Sequence, residues 1–195
     1  MADPGAAFGR QDGVEQQRTT TDLPPCALVI MGVSGSGKST LGAHLADLLH
    51  APFLEGDAFH PSANVAKMRS GLPLDDDDRW PWLDRLGAAA GAAVATSGLA
   101  VATCSALKRV YRERLAHAAG VPMLFVLLDT NRDELEHRLA SRQGHYMPAS
   151  LLGSQLATLE RPGQEERAIT LDSRLPPDRL ADDVRRWAHA TLMVG

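Results

Sequence analysis

The sequence predicts an α/β fold in which a parallel β-sheet is flanked by helices. Three observations lead there. Apolar strand-like runs alternate with helix-length segments. The run Pro122–Leu128 is unbroken and apolar, the pattern of a strand covered on both faces. Finally, Gly32-Val33-Ser34-Gly35-Ser36-Gly37-Lys38-Ser39 stands between an apolar strand and a helix.

In chain order, residues 1–24 read as a disordered tail, being polar and Gly- and Gln-containing with little apolar surface to bury. They lack the apolar core of a signal peptide. Pro24-Pro25 then introduces a first strand over Ala27–Met31, followed by a helix over Thr40–His50. A short strand spans Pro52–Glu55, and a polar insertion with a helix near Ser62–Ser70 follows. Pro81 reads as the first turn of a longer helix reaching Thr96. A strand over Leu99–Thr103, a helix over Leu107–Ala118, the strand Pro122–Leu128 and a helix over Asn131–Ser141 come next. The chain closes with a helix over Ala149–Leu159, a weak strand over Ala168–Leu171 and a helix over Pro177–Leu192. Residues 25–195 thus read as a single P-loop domain, with a polar insertion at about 57–96.

The run Gly32–Ser39 fits G-x-x-x-x-G-K-[ST]. Its glycines let successive N–H groups turn toward phosphate oxygens, and the helix N-terminus adds positive potential. The expected nucleotide contacts are Gly32, Val33, Ser34, Gly35, Ser36, Gly37, Lys38, Ser39 and Thr40. Lys38 is assigned to the β- and γ-phosphates and Ser39 to Mg²⁺. Other classes fit less well. No guanine-reading Asn-Lys-x-Asp is present, and the strand ending in Asp129 resembles an ATPase metal strand only superficially, with N-capping as the plainer role.

Composition narrows the partners. A net charge of −4 without a Lys/Arg-rich run gives no nucleic-acid surface. Two cysteines make no disulfide framework, favouring a cytoplasmic compartment, and no stretch approaches a membrane span.

Five further clusters stand out: Glu55-Gly56-Asp57-Ala58-Phe59-His60-Pro61; Asn64-Val65-Ala66-Lys67-Met68; Gly71 to Leu83 with its Asp75–Asp78 run; Cys104-Ser105-Ala106-Leu107-Lys108 with Tyr111-Arg112; and Gly144-His145 with Gln155 and Leu159-Glu160. In this order and spacing they resemble the gluconokinase family, ATP-dependent kinases of D-gluconate, over about residues 26–190. The resemblance implies an adenylate-kinase-like fold with a substrate-binding part in the insertion at about 57–96 and a lid at about 142–150, ATP with Mg²⁺, and a homodimer. Tyr146-Met147 and Arg161-Pro162 depart from the family pattern near the lid.

The residue chemistry agrees. Phosphoryl transfer needs alignment and charge neutralisation. Lys38, Asp57 and Arg142 are the expected catalytic residues, Asp57 orienting the attacking hydroxyl. Its plainer role is an N-cap or turn aspartate. Glu55 is expected to hold Mg²⁺ through water, or else to be a strand-edge carboxylate. A polyol carboxylate calls for hydrogen-bonding groups and a cation. Asp57, His60, Lys67, Arg79, Ser105, Lys108, Arg112, His145 and Gln155 are the expected acceptor contacts, with solvated surface charge as the alternative for Lys67 and Arg112. Asp78 is the expected cap or Arg79 partner, Trp80 and Trp82 are expected to pack, and Cys104 is expected to be inert. Arg138 and Arg142, four apart on one helix face, suit phosphate contacts on lid closure, against a basic stripe paired with Glu134 or Glu136. Two rivals remain: a kinase of another hydroxy acid such as shikimate, and a nucleotide-dependent regulator without turnover.

Overall fold

Alternate residues of the central strand feed two separate cores. In β1 (Cys26–Met31), Ala27, Val29 and Met31 face one core, while Cys26, Leu28 and Ile30 face the other; all six are essentially inaccessible to water. The period-2 alternation of a strand places an apolar run on both faces at once. Each buried Val, Leu or Ile contributes about 1.5–3 kcal/mol. The computed structural model describes residues 23–140 and 152–193.

β1 is followed by α1 (Lys38–Leu48) and β2 (Phe53–Leu54). A 3₁₀ turn over Gly56–Phe59 leads into α2 (Ser62–Arg69), α3 (Asp76–Ser97) and β3 (Leu99–Cys104). Then come α4 (Arg109–Ala119), β4 (Met123–Asp129), α5 (Arg132–Ala140), α6 (Leu152–Thr158), β5 (Ala168–Asp172) and α7 (Pro177–Met193). The five strands are all parallel, in the order β2-β3-β1-β4-β5. Leu28, Val101 and Val126 belong with Leu41, Leu45 of α1 and Leu180, Val184 of α7 in one core. Val29, Ala102 and Phe125 belong with Leu83, Leu86 of α3 and Tyr111, Leu115 of α4 in the other. α3 and α4 approach closely because Gly87 and Gly91 face α4: a Cβ on Gly91 would lie 2.2 Å from the Ala119 carbonyl oxygen.

The predicted fold class is the observed one, and most element boundaries agree within two or three residues. α3 is the exception. It starts at Asp76, five residues before Pro81, because Asp75 and Asp78 form a capping box: Asp75 Oδ1 accepts from the Asp78 amide and Asp78 Oδ2 from the Asp75 amide, both at 2.9 Å. Three aspartates in the first turn suit the helix dipole, and Pro81 is carried inside the helix. The 3₁₀ turn is absent from the sequence reading. Asp129 is not the cap of α5. Asn131 Oδ1 accepts from the Glu134 amide at 2.9 Å instead, and Asp129 pairs with Arg161 at 2.6 Å. The tail through residue 22, the lid at 142–150, and with it Arg142 and His145, lie outside the described residues. Among the described residues no helix is long and apolar enough to cross a membrane.

Candidate active site

The ends of β1 and β3, neighbours in the sheet, organise the site, as ligand crevices of open parallel sheets do at their carboxyl edge. The loop after β1 is shaped by backbone. Gly32, Gly35 and Gly37 have φ of 136°, 83° and 96°, which only glycine adopts cheaply. A Cβ on Gly32 would lie 2.8 Å from the Leu128 carbonyl oxygen. α1 begins directly at Lys38, with no side-chain cap and no acidic residue in its first turn. Its N-terminal amides and dipole are left to an external anion. Lys38 Nζ donates to the Val33 carbonyl at 2.9 Å and so braces the loop, while Ser39 and Thr40 are exposed at its rim. The Ser36 hydroxyl is buried in this cradle without a hydrogen-bond partner. Backbone donors, a lysine and an uncapped helix are a fitting receptacle for a polyphosphate.

Beside it lies a cavity of about 410 Å³ lined by Gly35, Gly37, Thr40, Arg138, Ser173 and Pro176, among others. Arg138 forms one wall. Its Nε donates to Glu134 at 2.6 Å, and its two Nη groups donate to the Ser173 hydroxyl and carbonyl, each at 3.1 Å. Arg138 is therefore turned toward the β5–α7 loop. A cavity of this size, opening onto the phosphate cradle, suits a nucleoside.

The end of β3 ties this cradle to a second, polar region. The Ser105 carbonyl accepts from the Gly32 amide at 3.3 Å. Two residues earlier, the Thr103 hydroxyl accepts from the Gly56 amide at 3.0 Å and itself donates to Glu55 Oε1. Gly56 is locked there, since a Cβ would come within 1.9 Å of the Thr103 carbonyl oxygen. Trp82, fully buried, donates from Nε1 to the Gly56 carbonyl at 2.7 Å and stacks under His60 with ring centroids 4.0 Å apart. The turn that carries Asp57 is thus fixed from three sides while Asp57 itself is exposed. Burial, aided by the positive charge of Arg79, lowers the His60 pKa to about 4, so its ring is neutral near pH 7. Burial also pushes the Cys104 thiol up to about 12, leaving it unreactive as expected.

The cations near this turn differ in what holds them. Lys67 donates to Asp75 at 3.0 Å and to Asp78 at 2.5 Å. Lys108 meets Asp76 at 2.9 Å, and Tyr111 also donates to Asp76. The hydrogen bond from Lys108, then that from Tyr111, holds the Asp76 carboxyl below its ordinary range. Among the described residues Arg79 is held by no carboxylate. Its Nη2 donates to the Leu74 carbonyl at 3.2 Å, and its Nε is buried with no hydrogen-bond partner. Leaving such a donor unpaired costs about 1–3 kcal/mol.

A family model described as an AAA domain matches residues 28–162. The gluconokinase of Gluconobacter oxydans is 48% identical over 175 residues, covering 90% of this chain and 98% of that one. The chain belongs to the gluconokinase family. Among solved structures, a gluconokinase from Sinorhizobium meliloti shares 43% identity at a TM-score of 0.74, covering 87% of this chain and 94% of that one. An unliganded sugar kinase from a Janibacter species shares 44% at 0.78, covering 84% and 94%. Membership of this P-loop kinase family carries ATP use with it.

Within the gluconokinase frame, several expected residues take a different place. Arg112 is only 1% exposed, and its guanidinium is committed. Nε and Nη2 grip Glu166 at 2.5 and 2.8 Å, and Nη1 donates to the carbonyls of Ala106, Leu107 and Glu160 at 3.2, 3.5 and 3.1 Å. It is a buried strut for the loop after β3, where Ala106 holds a φ of 42°, and not an open acceptor cation. Gln155 of α6 offers Oε1 to the Ser34 amide at 2.7 Å, which puts it against the phosphate loop. The N-cap of α3 is Asp75, with Asp78 as the returning member of the capping box, and Asp78 pairs with Lys67, not Arg79. Ser105 meets the phosphate loop through its carbonyl. The sequence reading missed the Ser173–Pro177 loop. Its place at the carboxyl end of β5 is the signal that marks it.

Proposed function

We propose that the chain transfers the γ-phosphoryl group of ATP to the terminal hydroxyl of D-gluconate, giving 6-phosphogluconate. The observation that carries this reading is the end of β3: residues 103 and 105 hold Gly56, next to Asp57, and Gly32, the first residue of the phosphate loop. An acceptor hydroxyl at Asp57 therefore lies on the same strand end as the cradle for the phosphates.

In this reading Lys38 stabilises charge on the β- and γ-oxygens, and the amides of Gly35–Lys38 fix the chain of phosphates. The nucleoside occupies the cavity between Arg138 and Pro176. Asp57 accepts a hydrogen bond from the attacking hydroxyl, aims its lone pair at phosphorus, and takes the proton as the new P–O bond forms. His60, neutral, is suited to hydrogen-bond acceptor hydroxyls. Among the described residues no cluster of acids and histidines forms a metal cage. Mg²⁺ fits as a companion of the nucleotide, held by the exposed Ser39 hydroxyl and, through water, by Glu55. Bound there, it would supply neutralisation of the negative charge on the nucleotide's phosphates. Arg142 and His145 complete the proposal from the lid.

The two free, buried thiols fit a cytoplasmic compartment, and the family resemblance implies a homodimer, whose mass light scattering of the purified chain tests. For the reaction, ³¹P NMR after incubation with Mg-ATP and D-gluconate is expected to show a phosphomonoester coupled to the terminal CH₂ protons. A spectrum with only ATP and its hydrolysis products contradicts the proposal.

A further inference from the structure

We propose that Arg79 is the cation that reads the acceptor's carboxylate, and thus sets the preference for an aldonate over its neutral counterparts. The inference rests on the function proposed above. It follows from how each positive charge around the acceptor turn is already committed. Lys67 is divided between Asp75 and Asp78, Lys108 is clasped by Asp76, and Arg112 is buried on Glu166 and three carbonyls. Lys38 belongs to the phosphate loop. Among the described residues Arg79, unlike Lys67, Lys108 and Arg112, pairs with no carboxylate, spends one Nη on a carbonyl, and keeps a buried Nε–H without an acceptor.

Its position suits the task. The guanidinium carbon lies 5.4 Å from the Tyr111 ring centroid, so the planar fork is backed by an aromatic wall. After burial, its charge helps to keep the His60 ring neutral, and after Lys108 and Tyr111 it helps to hold the Asp76 carboxyl low. The thiol of Cys104 at the end of β3, governed first by burial, is also within electrostatic reach of Asp57, Lys38 and Arg79. A linear acid with its terminal hydroxyl at Asp57 would carry its carboxylate toward Arg79. The Asp75–Asp78 run then has a second role besides capping α3. It neutralises the two lysines, so that one guanidinium, with its fork geometry, discriminates a carboxylate from an amide or hydroxymethyl group.

The test compares D-gluconate with D-gluconamide, the same chain without the charge, as Mg-ATP-dependent acceptors for the full-length protein. KM is read for each, or the inhibition constant where only competition is seen. In Arg79→Gln the gluconate KM is expected to rise about 100-fold. The gluconate-to-gluconamide preference is expected to collapse toward parity, with ADP affinity unchanged as the sign of an intact fold. Arg79→Lys, which keeps the charge and loses the fork, is expected to lie between. Lys67→Gln and Lys108→Gln are expected to retain the preference. A gluconate KM within threefold of wild type in Arg79→Gln overturns the inference, as does an equal loss for both acceptors. Wild-type protein inert toward gluconate overturns the function itself, a result separate from either.

Discussion

The nucleotide side and the acceptor side of this site are built from different materials. The first is backbone: three left-handed glycines and an uncapped helix start, with Lys38 bracing the loop. The second is side chain: Trp82, Thr103 and Glu55 fix the turn, and aspartates of α3 hold the lysines around it. A backbone cradle recognises what every nucleoside triphosphate shares. In the proposed reaction the acceptor is chosen by a side-chain pocket, held together by contacts such as Glu55 to Thr103 across 48 positions.

If the two halves are as separable as this suggests, Asp57→Ala breaks one and spares the other. Turnover with gluconate is expected to fall about 10²–10⁴-fold, with ADP affinity by calorimetry unchanged. A parallel loss of nucleotide affinity would dissolve the distinction.

Arg112 joins the halves, since it braces the loop that runs from the end of β3 to Lys108. Arg112→Ala leaves the half-buried Glu166 without its guanidinium partner, and a loss of about 3 kcal/mol in urea unfolding is expected. Replacing both members of the pair by apolar residues of similar volume is expected to cost less than the single change. Equal losses would make the strut's packing, rather than its charge, the stabilising element.

A smaller effect separates the halves by pH. The pKa of His60 in the fold, about 4, lies below its unfolded value of about 6.5. The unfolded chain therefore binds more protons between these values. The contribution is fully present above pH 6.5 and is lost as pH falls toward 4, by at most about 3 kcal/mol and less where water reaches the ring. His60→Gln is expected to flatten the stability profile across that window. An unchanged slope would mean that the imidazole is not shielded as described.

The smallest change acts on geometry. Gly56→Ala must displace the turn from Thr103 and is expected to cost about 1–3 kcal/mol. It should raise the gluconate KM while leaving ADP binding alone.

The same contrast explains what could be read from the sequence. The phosphate loop is legible because its function resides in a contiguous run of glycines, Lys38 and Ser39. The strands were legible because burial on both faces leaves unbroken apolar runs such as Met123–Leu128. The role of Arg112 was hidden because Glu166, which fixes it, lies 54 residues away. The start of α3 was obscured because Pro81 imitates a helix start, while the Asp75–Asp78 box resembles a solvated acidic loop. The Ser173–Pro177 loop carries no motif at all. It gains meaning only when β5 takes the sheet edge beside β4 and brings Ser173 to Arg138.

The most direct test of the central claim is acceptor-dependent ADP release with Mg-ATP, run across D-gluconate, other aldonates, shikimate and nucleoside monophosphates. Turnover that requires gluconate and disappears in Asp57→Ala is the expected result. Silence with gluconate alongside turnover of another acceptor would contradict it, as would an Asp57→Ala protein that works as well as the wild type.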